Sequence, residues 1–115
     1  MKQVILDTNF ILTCIKQKID FFEEIKLMGI EILIPDKVIS EIKRLENKNS
    51  KLALILLEKN EFKETKLTGK YADTGIVKFA DENPAVIIAT LDKELKNKLK
   101  NNKLVIREKK RLEII

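Results

Sequence analysis

Aspartate is scarce in this chain, six residues in all, so each can be weighed by its place. Asp7 follows directly on the apolar run Val4-Ile5-Leu6, and Asp92 follows closely on Ala85-Val86-Ile87-Ile88-Ala89-Thr90. If both runs are strands of a parallel sheet, the two carboxylates stand at carboxyl ends of buried strands, where open α/β sheets bind ligands. Either alone is also a good N-cap, because a helical pattern follows each. Asp73 has Ile76, Val77 and Ala80 at i+3, i+4 and i+7, which puts its charge on the same stripe as core residues. A charge there is costly unless something positive or hydrogen-bonding meets it, or unless Asp73 caps a helix beginning at Thr74. Glu41, between Val38 and Leu45, lies at the edge of another apolar stripe. Glu46 is as near that stripe, so spacing alone does not choose between them, although Glu41 is closer to the helix start. Asp36 reads as an N-cap after Pro35, and Asp20 and Asp81 as surface residues.

Four carboxylates brought together would not stay ionised unaided. Like charges about 5 Å apart repel by about 3 kcal/mol per pair at an effective dielectric near 20. A cation resolves this, and the residue types restrict which one. The chain has no histidine and one cysteine, Cys14. Zinc clusters, Ser-His-Asp and Cys-His nucleophile systems and any histidine base are therefore excluded within it. Oxygen-only ligands select Mg²⁺ or Mn²⁺. Such an ion activates water without a histidine base and neutralises a phosphate undergoing in-line attack.

The elements that must position these acids alternate in kind. Gln3–Leu6, Glu31–Ile34, Glu61–Thr65, Ala85–Thr90 and Leu104–Ile106 read as strands, with Glu61–Thr65 the weakest. Helical patterns occupy Phe10–Ile15, Ile19–Met28 closed by Gly29, a stretch from Asp36 carrying Val38, Ile39, Ile42 and Leu45, Tyr71–Asp81 and Asp92–Lys100. Asn47–Ser50 is a polar break, and Leu52–Leu57 is apolar enough for a buried helix. The near-continuous apolar run before Asp92 suits a strand covered on both faces. Strands alternating with helices predict a three-layer α/β/α sandwich around a mainly parallel sheet. Arg107–Arg111 reads as a basic tail segment, and Cys14 as core packing. At 115 residues, the length suits one domain over residues 1–115.

A formal net charge of +5 favours polyanionic partners, nucleic acid first, although a solvated lysine surface explains it as well. No stretch approaches 18 apolar residues, and the opening run meets Asp7 too early for a signal peptide. A cytoplasmic setting with no membrane partner is the simplest expectation.

The acids sit in a recognisable order. Val4-Ile5-Leu6-Asp7-Thr8-Asn9-Phe10 resembles the first motif of PIN-domain ribonucleases, and Ile34-Pro35 with Val38-Ile39-Ser40-Glu41-Ile42 resembles the second. Tyr71-Ala72-Asp73-Thr74-Gly75-Ile76 is similar to the third, and Ala89-Thr90-Leu91-Asp92-Lys93-Glu94-Leu95 to the fourth. Each motif alone is weak; four in order, over essentially the whole chain, are specific. The resemblance implies a PIN-like fold and a Mg²⁺- or Mn²⁺-dependent endoribonuclease. It assigns Asp7, Glu41, Asp73 and Asp92 as the metal-binding, catalytic acids, with Asn9 and Thr90 as polar supports. Arg107, Lys109, Lys110 and Arg111 are then candidates to guide the RNA backbone.

Many VapC-type toxins carry Asn before the fourth acid, where this chain has Leu91. With Val105-Ile106-Arg107 and the basic segment after it, this resembles the branch spanning VapC-like toxins and ribosomal-RNA-processing PIN proteins. The implied partners are RNA together with an antitoxin or a pre-ribosomal protein, and a homodimer is compatible with the family. Other chemistries fit less well. A receiver-type phospho-acceptor needs an acidic pair after the first strand, and a haloacid-dehalogenase-type phosphatase needs Asp where Asn9 stands. A non-catalytic PIN-like scaffold for RNA or protein is the remaining alternative.

Overall fold

The computed structural model describes residues 2–108 and 110–115. Their elements, in chain order, are β1 (Gln3–Leu6), α1 (Thr8–Lys16), α2 (Phe21–Leu27), β2 (Glu31–Pro35), α3 (Asp36–Leu45) and α4 (Lys48–Lys59). There follow β3 (Lys63–Thr65), α5 (Ala72–Glu82), β4 (Ile87–Ala89), α6 (Lys93–Asn97), β5 (Lys103–Arg107) and β6 (Arg111–Ile114). The strands form one sheet in the order β3-β2-β1-β4-β5-β6, parallel throughout except that β6 runs antiparallel to β5. The expected α/β/α sandwich around a mainly parallel sheet is therefore the observed architecture.

Side-chain alternation along the strands divides the core in two. Val4, Leu6, Ile32, Ile34, Ile87 and Ala89 face α1–α4, packing with Phe10, Phe21, Ile25 and Ile42. Ile5, Leu33 and Ile88 face the other way, onto Ile76 and Ala80 of α5 and Leu95 of α6. Both faces of β1, β2 and β4 are covered, which is why their sequences are almost unbroken hydrophobic runs.

Local chemistry sets the boundaries. Asp7 and Asp92 cap α1 and α6, their carboxylates accepting from Thr8 N and from Glu94 and Leu95 N respectively. At α4, Asn47 Oδ1 accepts from Ser50 N while Ser50 Oγ accepts from Asn47 N, a reciprocal cap. The supposed polar break at Asn47–Ser50 is thus the start of a helix. Nor is that helix buried throughout: Ala53 and Leu57 face the core, whereas Leu52 and Ile55 are exposed. Asp36 is not a cap but the first residue of α3 after Pro35, and its Oδ1 accepts from Lys37 N and Leu67 N. Gly29 closes α2 with φ +74, a left-handed turn that glycine adopts without strain.

The Arg107–Arg111 segment is not a tail. Arg107 ends β5 and Arg111 begins β6, and the two are register partners in an antiparallel hairpin. Arg111-Leu112-Glu113-Ile114 alternates polar and apolar residues, with Leu112 buried, as a half-covered edge strand requires. Among the described residues no helix is long and apolar enough to cross a membrane.

Candidate active site at the carboxyl edge of the sheet

Because β1, β2 and β4 are parallel, their carboxyl ends open on one edge. Asp7 leaves β1 there, its backbone N–H donating to Ala89 O of β4 at 2.9 Å. Only 8% of Asp7 is exposed. Thr8 N donates to Asp7 Oδ1 and the Thr90 hydroxyl to Asp7 Oδ2, each at 2.8 Å. The same Thr90 oxygen accepts from Asp92 N at 3.2 Å. Asn9 Oδ1 accepts from Leu91 N at 3.3 Å. The two residues read as polar supports thus act on the acids differently. Thr90 touches Asp7 directly, whereas Asn9 holds the backbone just before Asp92.

Glu41 comes to the same edge because α3 starts there and turns back along the sheet. Its Oε2 accepts from the Thr8 hydroxyl at 2.6 Å. Glu46, which spacing could not separate from Glu41, is exposed at the left-handed end of α3, with φ +49, and has no such link among the described residues. Thr8, which reasoning from charges passed over, hydrogen-bonds both Asp7 and Glu41. Its only signal in the sequence is its position between Asp7 and Asn9.

Asp7 carries the electrostatics. Burial pushes its carboxyl above the usual 3.8, and the nearby Glu41 and Asp92 charges add to the rise, against the lowering by Thr90 and Thr8. Glu41 and Asp92 are thus close enough to be felt by Asp7. Asp92 and Asp73 in turn line one small cleft of about 40 Å³, together with Glu94 and Lys98.

Asp73 itself is exposed, not buried on the core stripe as its spacing suggested. The helix starts at Ala72, whose side chain is buried, and Asp73 on the same first turn faces outward. Asp73 therefore stands over the cleft, its Oδ1 accepting from Thr74 N at 2.8 Å. The approach of α5 to the neighbouring loop depends on Gly75. A Cβ there would lie 2.8 Å from Leu67 Cβ and 2.9 Å from the Thr68 carbonyl oxygen.

The acids form a chain of neighbours rather than a closed cage. Among the described residues no three His, Cys, Asp or Glu side chains stand close enough to ligate one ion together. None of the four is in an ion pair: among the described residues the salt bridge is Arg107–Glu113, at 3.3 Å between exposed side chains, and the nearest basic residue lining the cleft is Lys98. One buried carboxylate, Asp7, with acidic neighbours that offer oxygen alone is a donor set that suits a hard divalent ion.

Of the basic candidates, Arg107, Lys110 and Arg111 are exposed, and Lys109 lies outside the described residues. Leu104 of β5 pairs with Ala89, and β5 continues three residues further to Arg107. At about 3.3 Å per residue, the hairpin projects about 10 Å past the end of β4, on the edge that holds the acids. A groove of about 820 Å³ lies at the opposite edge beside Phe22, Lys26, Lys59 and Phe62, and holds none of the four acids.

Residues 4–111 match the family described as PIN like domain. The chain is 39% identical to ribonuclease VapC4 of Methanocaldococcus jannaschii, across 99% of this chain and 97% of that protein. It is 35% identical to rRNA-processing protein fcf1 of Schizosaccharomyces pombe across 84% of this chain, a match spanning 53% of that protein's length. Among solved structures, the PIN domain endonuclease Utp24 superposes with a TM-score of 0.83 at 32% identity, over 98% of this chain and 92% of that one. Four acidic motifs in order, the strand order and these likenesses converge: the chain belongs to the PIN-like domain family.

Proposed function

We propose that this protein is an endoribonuclease dependent on Mg²⁺ or Mn²⁺. The observation that carries the reading is Asp7, buried at the end of β1 with Glu41 and Asp92 close enough to raise its pKa and no basic partner among the described residues. Relatives named ribonuclease VapC4 and PIN domain endonuclease Utp24 support it. Between them Asp7, Glu41, Asp73 and Asp92 would hold one or two ions, which when bound would neutralise phosphate charge and make water a better nucleophile.

The chain's own groups do the positioning. Thr90 and Thr8 orient Asp7 and Glu41 by donating hydroxyl hydrogens, so that each carboxylate keeps lone pairs directed elsewhere. Asp92 uses one oxygen to cap α6 and keeps the other free. Arg107, Lys110 and Arg111, with Lys109, steer the polyanion toward this edge. In-line attack by water then leaves a 5′-phosphate and a 3′-hydroxyl. Aromatic residues are few, five Phe and one Tyr, so recognition rests on the RNA backbone rather than on an extended stacking platform.

The test is cleavage of single-stranded RNA by the purified chain with Mn²⁺ or Mg²⁺ and with chelator. Activity that needs the metal and disappears in Asp7→Asn and Asp92→Asn is expected. Undiminished cleavage by both variants, or an inert wild type that still binds RNA, would favour the non-catalytic scaffold. Two settings follow, a toxin paired with an antitoxin from the family resemblance and ribosomal-RNA processing from the relative named for it. Growth arrest relieved by a co-expressed small partner points to the first, and co-purification with pre-ribosomes to the second.

A further inference from the structure

The cleft holding Asp73 and Asp92 does not end at the acids. Thr74, Val77 and Lys98 line it and also line a second groove of about 300 Å³, so the two adjoin across these three residues. That groove follows α5 and α6 away from the carboxyl edge. Lys78, Lys98 and Lys100 stand along it against a single acid, Asp81. All three lysines are exposed and none takes part in an ion pair among the described residues. The floor is made by Val77, Ala80 and Leu99.

A carboxylate-lined cleft running into a lysine-lined trough suits a phosphodiester chain, whose reacting phosphate needs the acids and whose neighbouring phosphates need cations. We propose that the α5–α6 groove is the path of a single RNA strand on one side of the scissile bond, with Lys78, Lys98 and Lys100 each contacting a phosphate. This rests on the nuclease reading and adds to it the strand's course. A positive groove that tracks one backbone is how proteins hold single strands without reading their bases.

The salt dependence of binding tests it without cleavage. Affinity for a single-stranded oligoribonucleotide is measured with chelator present, against salt, for the wild type, for a Lys78→Gln/Lys98→Gln/Lys100→Gln variant, and for a Lys26→Gln/Lys59→Gln/Lys63→Gln control on the opposite groove. Each phosphate contact contributes about 0.7 to the slope of log K against log salt for single strands, so the first variant should lose about 2 from its slope. The control, with the same change in net charge, should lose much less. Equal losses in both variants, no loss in the first, or tighter binding of a duplex than of the single strand would overturn the proposal. Circular dichroism checks that the fold is kept. The two readings fail separately: a groove-dependent slope in a wild type that cleaves nothing removes the nuclease and keeps the path, whereas metal-dependent cleavage with an unaltered slope does the reverse.

Discussion

The Thr90 hydroxyl, wholly buried, donates to Asp7 Oδ2 at 2.8 Å across 83 residues of chain and accepts from Asp92 N on its other side. One oxygen thereby fixes the spacing of two acids from different strands. Removing it in Thr90→Val keeps the shape but leaves a buried carboxylate without its donor, a loss of about 1.5–3 kcal/mol for a bond to a charged group. Loss of such a supporting contact also typically costs about 10–100-fold in activity at metal sites. Thr90→Ser should retain most of both. Thermal denaturation and RNA cleavage read the two effects, and a Thr90→Val variant matching the wild type in both would contradict the role.

Asp7 is held above its usual 3.8 by burial first and like charge second. A raised carboxyl favours the neutral form in the fold. The resulting penalty is absent below the unfolded value, grows as pH rises through the folded one, and is complete above it. In chelator, the wild type should therefore lose stability relative to Asp7→Asn as pH is raised from below 3.8 toward neutrality. A stability difference between the two that is flat with pH would show that the carboxyl is not perturbed.

Repulsion among neighbouring acids also predicts a response to metal. Millimolar Mg²⁺ or Mn²⁺ should raise the melting temperature, by an amount equivalent to about 2.7 kcal/mol when the ion stands at a hundred times its dissociation constant. The shift should shrink in Asp7→Asn and in Asp92→Asn. An identical shift in both variants would mean that the ion binds elsewhere.

Gly75→Ala should move the start of α5, and with it Asp73. Its Cβ would meet the Thr68 carbonyl oxygen at 2.9 Å, a backbone atom that cannot rotate away. Overpacking of this kind costs about 1–3 kcal/mol. Denaturant melts should show that loss, along with reduced activity. Unchanged stability would mean that the 67–68 loop yields freely.

Cys14 lies wholly inside the packing of α1, where burial pushes its thiol up to about 12. At pH 8 almost none of it is thiolate, the reactive form. Native protein should resist a thiol reagent and react at the rate of unfolding. Prompt labelling of the folded chain would show the site to be open.

How far the site was legible can be argued residue by residue. Asp7 and Asp92 were visible because each follows an apolar run long enough to be a strand, and strand ends in parallel sheets share an edge. Glu41 was not separable from Glu46 by periodicity, since both border the same stripe. Only the fold distinguishes them, through the Thr8 hydroxyl and the left-handed turn that ends α3 at Glu46. For Asp73 the stripe implied burial, whereas Ala72 takes the inward position at the start of α5 and leaves the Asp73 carboxylate exposed over the cleft. Leu104–Ile106 was legible as a strand, but its partner β6 was hidden because charged Arg111 and Glu113 mask a two-residue alternation in which Leu112 alone of that strand is buried.

The linear chain by itself determined the alternation of strands and helices, the absence of any histidine chemistry, and the four acids placed where elements begin. These follow from local propensity, side-chain period and residue type, which neighbours in sequence are enough to express. Which acids meet, which hydroxyls aim them and where a lysine-lined groove joins their cleft were decided by tertiary structure alone. Those relations depend on strand order and on helices folding back across the sheet, where residues 33 or 83 positions apart come within a hydrogen bond of each other.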